Sequence, residues 1–281
     1  MSEARTRAPG RVHEATSLQN PIVKSIRALA NKRDRDESGL FLAEGLKLAI
    51  EALDAGWRIR TLVFAKTALG NPLLEKTAAR ARAAGGDLLE VSGKVLEAVT
   101  RRENPQNVVA VVEQRWTPLE KLGAGEGDVV VALDRVRDPG NLGTVIRTAD
   151  AVGAKGVVLV GESTDAFGLE AVRATMGSIF AVPLFRAGEK AFLDWRRGFG
   201  GLVVGTHLRG DTDYRKIPAK NRPVLLLMGN ESQGLPDSLS NACDVLARIP
   251  QAGRADSLNL AVATAVMLFE LRRDRLTLEG A

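Results

Sequence analysis

The sequence has little of several residue types that whole classes of proteins need. Its one cysteine, Cys243, excludes an intrachain disulfide, so the cytoplasm is the simplest compartment. That cysteine and the two histidines lie far apart and predict no metal site. No apolar run approaches the roughly 20 residues of a membrane span, and no hydrophobic signal segment begins the chain. We therefore expect neither a disulfide framework, a zinc cluster nor a membrane association.

The charge is concentrated at the beginning of the chain. Residues 1–35 hold eight of the 39 basic and three of the 34 acidic residues, so they carry the whole net charge of +5. Residues 1–19 are predicted to form a basic flexible arm, because their beginning shows no apolar period. Such an arm on a neutral body favours contact with phosphate groups, although a solubilising tail has the same composition.

A length of 281 residues favours roughly two domains. Between residues 20 and 113, apolar runs alternate with helical patterns, which predicts a small α/β domain. Residues 114–127 contain proline and several glycines and are interpreted as a linker. The predicted strands of the first domain are 41–45, 61–65, 88–91 and 108–113, and its predicted helices are 21–31, 46–53, 72–84 and 92–100.

The remaining residues, 128–281, again alternate strand and helix patterns, which favours a mostly parallel sheet with helices on both faces. Near the end, two strand-loop-helix passages follow each other closely. We expect Ser257 to cap the last helix, and its apolar face to include Leu258, Val262 and Phe269. The predicted strands are 128–134, 156–161, 179–185, 201–207, 224–228 and 245–249, and the predicted helices are 141–153, 169–178, 189–197 and 257–271.

The second domain lacks the common catalytic fingerprints. Neither the glycine pattern of dinucleotide-binding enzymes nor a P-loop occurs, which argues against an oxidoreductase of that type. Loop and helix starts instead carry recurring polar residues with no obvious nucleophile. Such a set suits the positioning of two bound substrates better than covalent catalysis. These residues are Asn141, Arg147, Asn230, Glu231, Ser257 and Asn259.

Three segments in this order resemble the motifs of the SpoU (TrmH-like) branch of the SPOUT superfamily, which contains S-adenosylmethionine-dependent RNA ribose 2′-O-methyltransferases. They are DPGNLGTVIRTADAVG, MGNESQGL and IPQAGRADSLNLAVATA. The first segment carries the N-x-G-x-x-x-R pattern as Asn141, Gly143 and Arg147. Upstream, FLAEGLKLAIEAL resembles the substrate-binding domain of such enzymes, which has a ribosomal-protein-like RNA-binding fold.

The resemblance implies a deep C-terminal trefoil knot, an exception to the usual rule of unknotted connections. Loops of the knot are then expected to hold S-adenosylmethionine. By position in the motifs, the implied donor-binding residues are Gly205, Thr206, Gly229, Ile249, Leu258 and Asn259. Gly229 lets the backbone approach closely, while Ile249 and Leu258 offer apolar walls. Without the motifs, ordinary core packing explains each apolar position.

The resemblance also implies that Arg147 activates the ribose hydroxyl. Because a guanidinium is essentially never deprotonated in proteins, we expect Arg147 to clamp a phosphate and stabilise the developing alkoxide. Asn141, Glu231, Ser257 and Asn259 then orient the reacting groups. An ion pair of Arg147 with Asp150 on the helix surface is the alternative.

The expected substrate is RNA, with large-subunit ribosomal RNA favoured over transfer RNA, and the expected assembly is a homodimer through the knotted region. A non-catalytic RNA-binding protein on the same scaffold is the competing hypothesis. The predicted RNA-binding residues are Lys24, Arg27, Arg101, Arg102 and Arg173.

Overall fold

A computed structural model describes residues 8–254 and 256–278. The chain divides into two compact units. The first comprises residues 8–114 together with Phe167–Phe180, and the second comprises Arg115–Ala166 with the described residues from Ala181 onward. No helix within these described ranges combines the length and the apolar character that crossing a membrane requires.

The first unit is built on a mixed sheet. Its strands are β1 (Val12–Ala15), β2 (Leu40–Glu44), β3 (Ile59–Ala65), β4 (Asp87–Val91) and β5 (Val108–Glu113). Their order is β1-β4-β3-β5-β2, with β1, β4 and β3 parallel to one another and β5 antiparallel to both β3 and β2. Each predicted strand of this domain is confirmed within two residues, because each is a short β-branched or apolar run buried against helices.

The helices of the first unit lie on both faces of this sheet. On one face, α1 and α5 bury Val23, Ile26, Val95 and Leu96 against the sheet. On the other, α3 and α4 pack together and against the central strands. Their bounds are α1 (Pro21–Ala28), α2 (Lys32–Ser38), α3 (Leu46–Asp54), α4 (Pro72–Ala83) and α5 (Gly93–Thr100).

Part of the predicted flexible arm is ordered. The interpretation is wrong for Val12–Ala15, which pair in parallel with Leu88–Val91 at the edge of the sheet. The amide of Gly10 donates to the carbonyl of Arg82 at 3.0 Å, and the guanidinium Nε of Arg82 donates back to Gly10 at 3.0 Å. Residues 1–7 of the arm lie outside the described residues.

The second unit contains a parallel sheet, which confirms the fold class. Its order is β10-β12-β9-β11-β6-β7-β8, and every neighbouring pair is parallel among the residues described. The strands are β6 (Val129–Asp134), β7 (Val157–Val160), β8 (Leu184–Ala187), β9 (Leu202–Thr206), β10 (Thr212–Asp213), β11 (Val224–Met228) and β12 (Val245–Arg248).

Helices cover both faces of this second sheet. Phe192 of α8 and Leu239 of α9 bury one face, while α6 and α10 pack together and α10 contacts β11 and β6. The segment predicted as a linker is also packed, since Leu119 is buried among Val130 and Phe192. The bounds are α6 (Pro139–Ala151), α7 (Leu169–Thr175), α8 (Glu189–Arg196), α9 (Asp237–Ser240) and α10 (Leu260–Arg272).

Although α7 lies within the predicted catalytic domain, it packs in the first unit. The rings of Phe41 and Phe167 lie 4.8 Å apart, those of Trp57 and Phe180 lie 5.3 Å apart, and the Trp57 indole donates to the Phe180 carbonyl at 3.1 Å. This aromatic packing corrects the predicted strand 179–185. Residues 178–180 form a short 3-10 turn, and the strand begins only at Leu184, after Pro183.

The last helix begins later than predicted. Asn259, and not Ser257, is the capping residue, because its side-chain Oδ1 accepts from the amides of Ala261 at 2.9 Å and Val262 at 3.3 Å. Leu258 therefore precedes the helix. Three apolar side chains predicted for its face are not covered within the described part of the chain: Leu258 is 37% exposed, and Val262 and Phe269 are each 50% exposed.

Candidate active site

A cavity of about 1050 Å³ lies in the second unit, where β6, β9, β11 and β12 end. The loops that follow these strands form its wall together with the beginning of α10. Ligands of open α/β sheets commonly bind at this edge, and residues of all three motif segments line the cavity there. The predicted residues that line the cavity are Asn141, Thr206, Gly229, Glu231, Ile249, Ser257, Leu258 and Asn259.

A chain of side-chain hydrogen bonds joins the three motif segments. The Nδ2 of Asn259 donates to the Oδ1 of Asn141 at 2.9 Å. The Nδ2 of Asn141 in turn donates to the carboxylate of Glu231 at 3.3 Å. Since Asn259 also caps α10, the start of that helix is tied to the start of α6 and to the loop after β11. The geometry therefore fixes the three segments relative to one another around the cavity.

Glu231 is held at the amino-terminal end of α6. Its carboxylate accepts from the amides of Arg137 at 3.3 Å and Asp138 at 3.3 Å. Asp138 caps the helix by accepting from the amide of Asn141 at 2.6 Å. Both carboxylates thus meet the positive end of the helix dipole. Asp138 had no predicted role, although an aspartate followed by proline is a helix-start signal.

Asn230 shapes the loop after β11. It is 9% exposed, its Nδ2 donates to the carbonyl of Arg135 at 2.7 Å, and its Oδ1 accepts from the amides of Ser232 and Gln233. Arg135 has a backbone φ of 45°, a strained value for a residue with a side chain. Its guanidinium is anchored by the buried Asp134, and this pairing raises the pKa of Arg135. The loop after β6 is therefore held at both its backbone and its side chain.

Gly229 and Gly205 occupy tight positions of different kinds. A Cβ on Gly229 would lie 2.3 Å from backbone atoms of Gly234 and Leu235, so the close approach expected at Gly229 is to its own loop. Gly205 does not line the cavity, and a Cβ there would lie 2.6 Å from the sulfur of Cys243. Burial raises the pKa of the Cys243 thiol to about 12, so this sulfur is a packing group and not a nucleophile.

Arg147 lies outside the wall of the cavity. It is exposed on α6, six residues beyond Asn141, and its side chain makes no hydrogen bond or ion pair within residues 8–254 and 256–278. The alternative pairing with Asp150 is thus not formed. The structure brings together the other four predicted catalytic residues and leaves this one on the surface.

The predicted RNA-binding residues lie in the first unit and fall into two groups. Lys24, Arg27 and Arg101 are exposed and, in the described part of the chain, make no ion pair. Arg102 and Arg173 both approach the carboxylate of Glu44. A guanidinium nitrogen of Arg102 lies 3.7 Å from it, and Arg173 donates a hydrogen bond to it. The first group is available to a ligand, whereas the second is engaged within the unit.

Arg173 completes a buried ion cluster. The Glu44 side chain is 3% exposed, and the Nε of Arg173 donates to it at 2.8 Å. A second nitrogen of Arg173 donates to the carbonyl of Thr100 at 2.9 Å, and the amide of Gln106 donates to Glu44 at 3.2 Å. Arg173 therefore ties α7 to the end of β2 and to the loop after α5. This geometry gives Arg173 a structural role, and its predicted RNA contact stays a prediction.

We expect Arg173→Ala to lower the free energy of unfolding by about 2–4 kcal/mol, because it leaves a buried carboxylate without its strongest partner. Chemical denaturation checks this value. Arg33→Ala, which breaks an exposed pair with Glu37, is the matched control and is expected to cost no more than about 0.5 kcal/mol. A stable Arg173→Ala protein with weakened RNA binding would instead support the original prediction.

Within the described ranges, no group of three or more histidine, cysteine, aspartate or glutamate side chains is arranged so that it could hold a metal ion. The cavity suits an organic ligand better. Met228, Ile249 and Leu258 supply apolar surface, while Thr206 and Asn259 supply polar groups. Pockets for small ligands combine these features and commonly measure about 300–1,000 Å³, so this cavity has room for a donor and part of a second substrate.

Comparisons with known proteins match the two halves of the chain separately. Residues 128–269 match the model of the SpoU rRNA Methylase family, and residues 20–110 match that of an MRM3-like substrate binding domain. The 23S rRNA (guanosine(2553)-2′-O)-methyltransferase RlmP of Bacillus subtilis is 35% identical, over 91% of this chain and 98% of that protein.

Two further proteins are similar over most of their length. The 23S rRNA (uridine(2479)-2′-O)-methyltransferase of Streptomyces viridochromogenes is 35% identical, over 89% of this chain and 88% of that protein. A crystal structure of an AdoMet-bound rRNA methyltransferase from Sinorhizobium meliloti is 59% identical, with a TM-score of 0.90, and covers 95% of this chain and 99% of that one.

Proposed function

The chain belongs to the SpoU rRNA methylase family, and we propose that it transfers a methyl group from S-adenosylmethionine to a ribose 2′-hydroxyl of large-subunit ribosomal RNA. The observation that carries this proposal is the Asn259–Asn141–Glu231 hydrogen-bond chain, which joins all three motifs around one cavity. The protein is an S-adenosylmethionine-dependent RNA methyltransferase. Its target within the class of RNA substrates is proposed to be ribosomal RNA.

The cavity fits the donor by shape and by chemistry. Ile249 and Leu258 form apolar walls for adenine, Thr206 offers a hydroxyl, and the Gly229 backbone lies on the wall where no side chain intervenes. When bound, the donor supplies an electrophilic methyl group on a sulfonium. The residues of the chain hold it and exclude water, while Gly205 supports this wall from behind through its packing on Cys243.

The polar residues of the cavity orient the ribose hydroxyl. Asn141 and Glu231 are fixed by their mutual bond and by the start of α6, and Ser257 lies on the same wall with its side chain exposed. Arg147 stabilises the developing alkoxide, since a guanidinium donates hydrogen bonds but does not accept the proton. As the oxygen–carbon bond forms, the methyl–sulfur bond breaks and S-adenosylhomocysteine is the leaving group, while the hydroxyl proton passes to solvent or to a group of the substrate.

A homodimer explains why Arg147 lies outside the cavity of its own chain. The apolar side chains of Leu258, Val262 and Phe269 are exposed at α10, and α6 packs against that helix. A second copy that covers these side chains lies beside Arg147, which then reaches the cavity of the partner. The trefoil knot stays a prediction of the family resemblance.

Exposed cations of the first unit support the proposed substrate class. Lys24 and Arg27 lie on α1 and Arg101 directly follows α5, and these two helices pack together on one face of the sheet. Unpaired cations of this kind bind phosphate groups without reading sequence. We assign RNA binding to residues 20–113 and catalysis to residues 128–281, and we propose the cytoplasm as the compartment in which the protein meets ribosomal RNA.

Radiolabel transfer tests this function. We expect the purified protein with tritiated S-adenosylmethionine to label a 23S ribosomal RNA transcript, and the labelled linkage to resist alkali because a methylated 2′-oxygen cannot attack the neighbouring phosphate. Label that appears in transfer RNA instead would identify transfer RNA, and not ribosomal RNA, as the substrate. RNA binding without label on either RNA would identify a non-catalytic protein on this scaffold.

A further inference from the structure

Three arginines from different loops line the mouth of the cavity. Arg137 follows β6, Arg209 follows β9, and Arg248 is the last residue of β12. All three are exposed residues at the carboxyl ends of strands of the same parallel sheet, in which β12 and β9 are neighbours and β11 separates β9 from β6. We call Arg137, Arg209 and Arg248 the arginine rim. None of them belongs to the motifs that identified the family.

The charge of the arginine rim is not neutralised within the described part of the chain. No carboxylate lies within ion-pair distance of its guanidinium groups there, and Arg248 makes only a 3.5 Å contact, to the carbonyl of Leu208. The two carboxylates on the cavity wall, Asp138 and Glu231, accept instead from backbone amides at the start of α6. The positive charge of the rim is therefore not neutralised by these two carboxylates, which already accept hydrogen bonds from backbone amides.

The backbone that carries the arginine rim is held in place, although its side chains form no ion pair with any described residue. The Nδ1 of His207 accepts from the amide of Arg209 at 3.0 Å, and the His207 amide donates to the carbonyl of Ala247 at 3.0 Å. The amide of Arg137 is held by Glu231. Because the backbone is already ordered, binding an anion at several points has to order only the side chains.

We propose that the arginine rim binds phosphate groups of the RNA strand on either side of the target nucleotide, and this rests on the proposed function. A planar guanidinium matches the paired oxygens of a phosphodiester. Three such groups spread over three loops suit a polyanion, whereas the methionine portion of the donor presents a single carboxylate. The substrate is thus a strand that lies across the mouth of the cavity.

Salt dependence of RNA binding tests the arginine rim. The variants are Arg137→Gln, Arg209→Gln and Arg248→Gln, alone and combined, and the probe is a labelled uridine oligomer of about 20 nucleotides. The slope of the logarithm of affinity against the logarithm of salt concentration is expected to fall in magnitude by about 0.7 for each lost contact, and by about 2 in the triple variant.

Arg222→Gln is the matched control. Arg222 is exposed just before β11, at the opposite end of the strands, and its side chain contacts only the Pro218 carbonyl among the described residues. We expect this variant to keep the wild-type slope, and every rim variant to keep the donor affinity measured by calorimetry. Unchanged slopes in the rim variants would overturn the proposal, and so would a loss of donor affinity with unchanged slopes.

The failure of this proposal is distinguishable from the failure of the proposed function. If the wild-type protein does not label RNA, the proposed function is wrong. The slopes of affinity against salt concentration still report whether the arginine rim binds phosphate. If the wild-type protein labels RNA and the rim variants keep the wild-type slope, only the proposal that the arginine rim binds phosphate is wrong.

Discussion

Gly229→Ala is expected to weaken the binding of S-adenosylmethionine by about tenfold to 100-fold. The new methyl group would lie 2.3 Å from backbone atoms of Gly234 and Leu235, a separation that forces the loop after β11 to move. Overpacking of this kind costs about 1–3 kcal/mol, which would correspond to about fivefold to 150-fold in affinity and so brackets the expected loss. Because the same loop carries Asn230 and Glu231, its displacement also disturbs the polar chain. Calorimetric titration of the donor measures the effect.

Gly253→Ala serves as the control for this variant. Gly253 lies in an exposed part of the loop after β12, where a Cβ would meet no atom within 4 Å. We expect this variant to bind the donor with wild-type affinity. Wild-type affinity in Gly229→Ala as well would show that the loop after β11 does not form the donor site.

Arg147→Lys is expected to lower kcat by about 100-fold or more while the donor affinity stays at the wild-type value. Lysine keeps the positive charge but loses the forked donors that stabilise a developing oxyanion, and the loss of one such donor commonly costs about 100-fold to 1,000-fold. Single-turnover label transfer to 23S ribosomal RNA measures the chemical step. Near-normal methylation by this variant would count against a catalytic role.

The position of Arg147 allows a sharper form of this experiment. Arg147→Ala and Glu231→Gln are each expected to be inactive as homodimers. Mixing the two chains should restore activity to about half of the sites present in mixed dimers, because one cavity then receives a wild-type glutamate and an arginine from the partner. If mixing restores no activity, Arg147 acts in the cavity of its own chain and not in that of the partner. Light scattering confirms that mixed dimers form.

Periodicity predicted the central strands well because burial on both faces leaves little choice of residue. The runs at Val129–Asp134 and Val224–Met228 are almost wholly apolar and were found at the expected positions. Edge elements were missed. The strand Val12–Ala15 is short and half exposed, and the helix Lys32–Ser38 consists almost entirely of charged residues, so neither has an apolar period.

The candidate site could be predicted only as far as the motifs reach. The motif residues around the cavity were found, but the last helix begins at Leu260 because Asn259 competes successfully for the two free amides there. The role of Arg173 depends on Glu44, which is 129 positions away in the sequence, and no local pattern encodes that pairing. Likewise, the arginine rim forms only when the ends of three strands come together.

Titration of the wild-type protein with S-adenosylmethionine tests the central claim most directly. The claim is that three C-terminal loops form one binding site for a methyl donor. Calorimetry is expected to give saturable binding of one donor molecule per chain, with an affinity that Gly229→Ala weakens and Gly253→Ala preserves. The absence of any saturable binding by the folded wild-type protein would contradict the account.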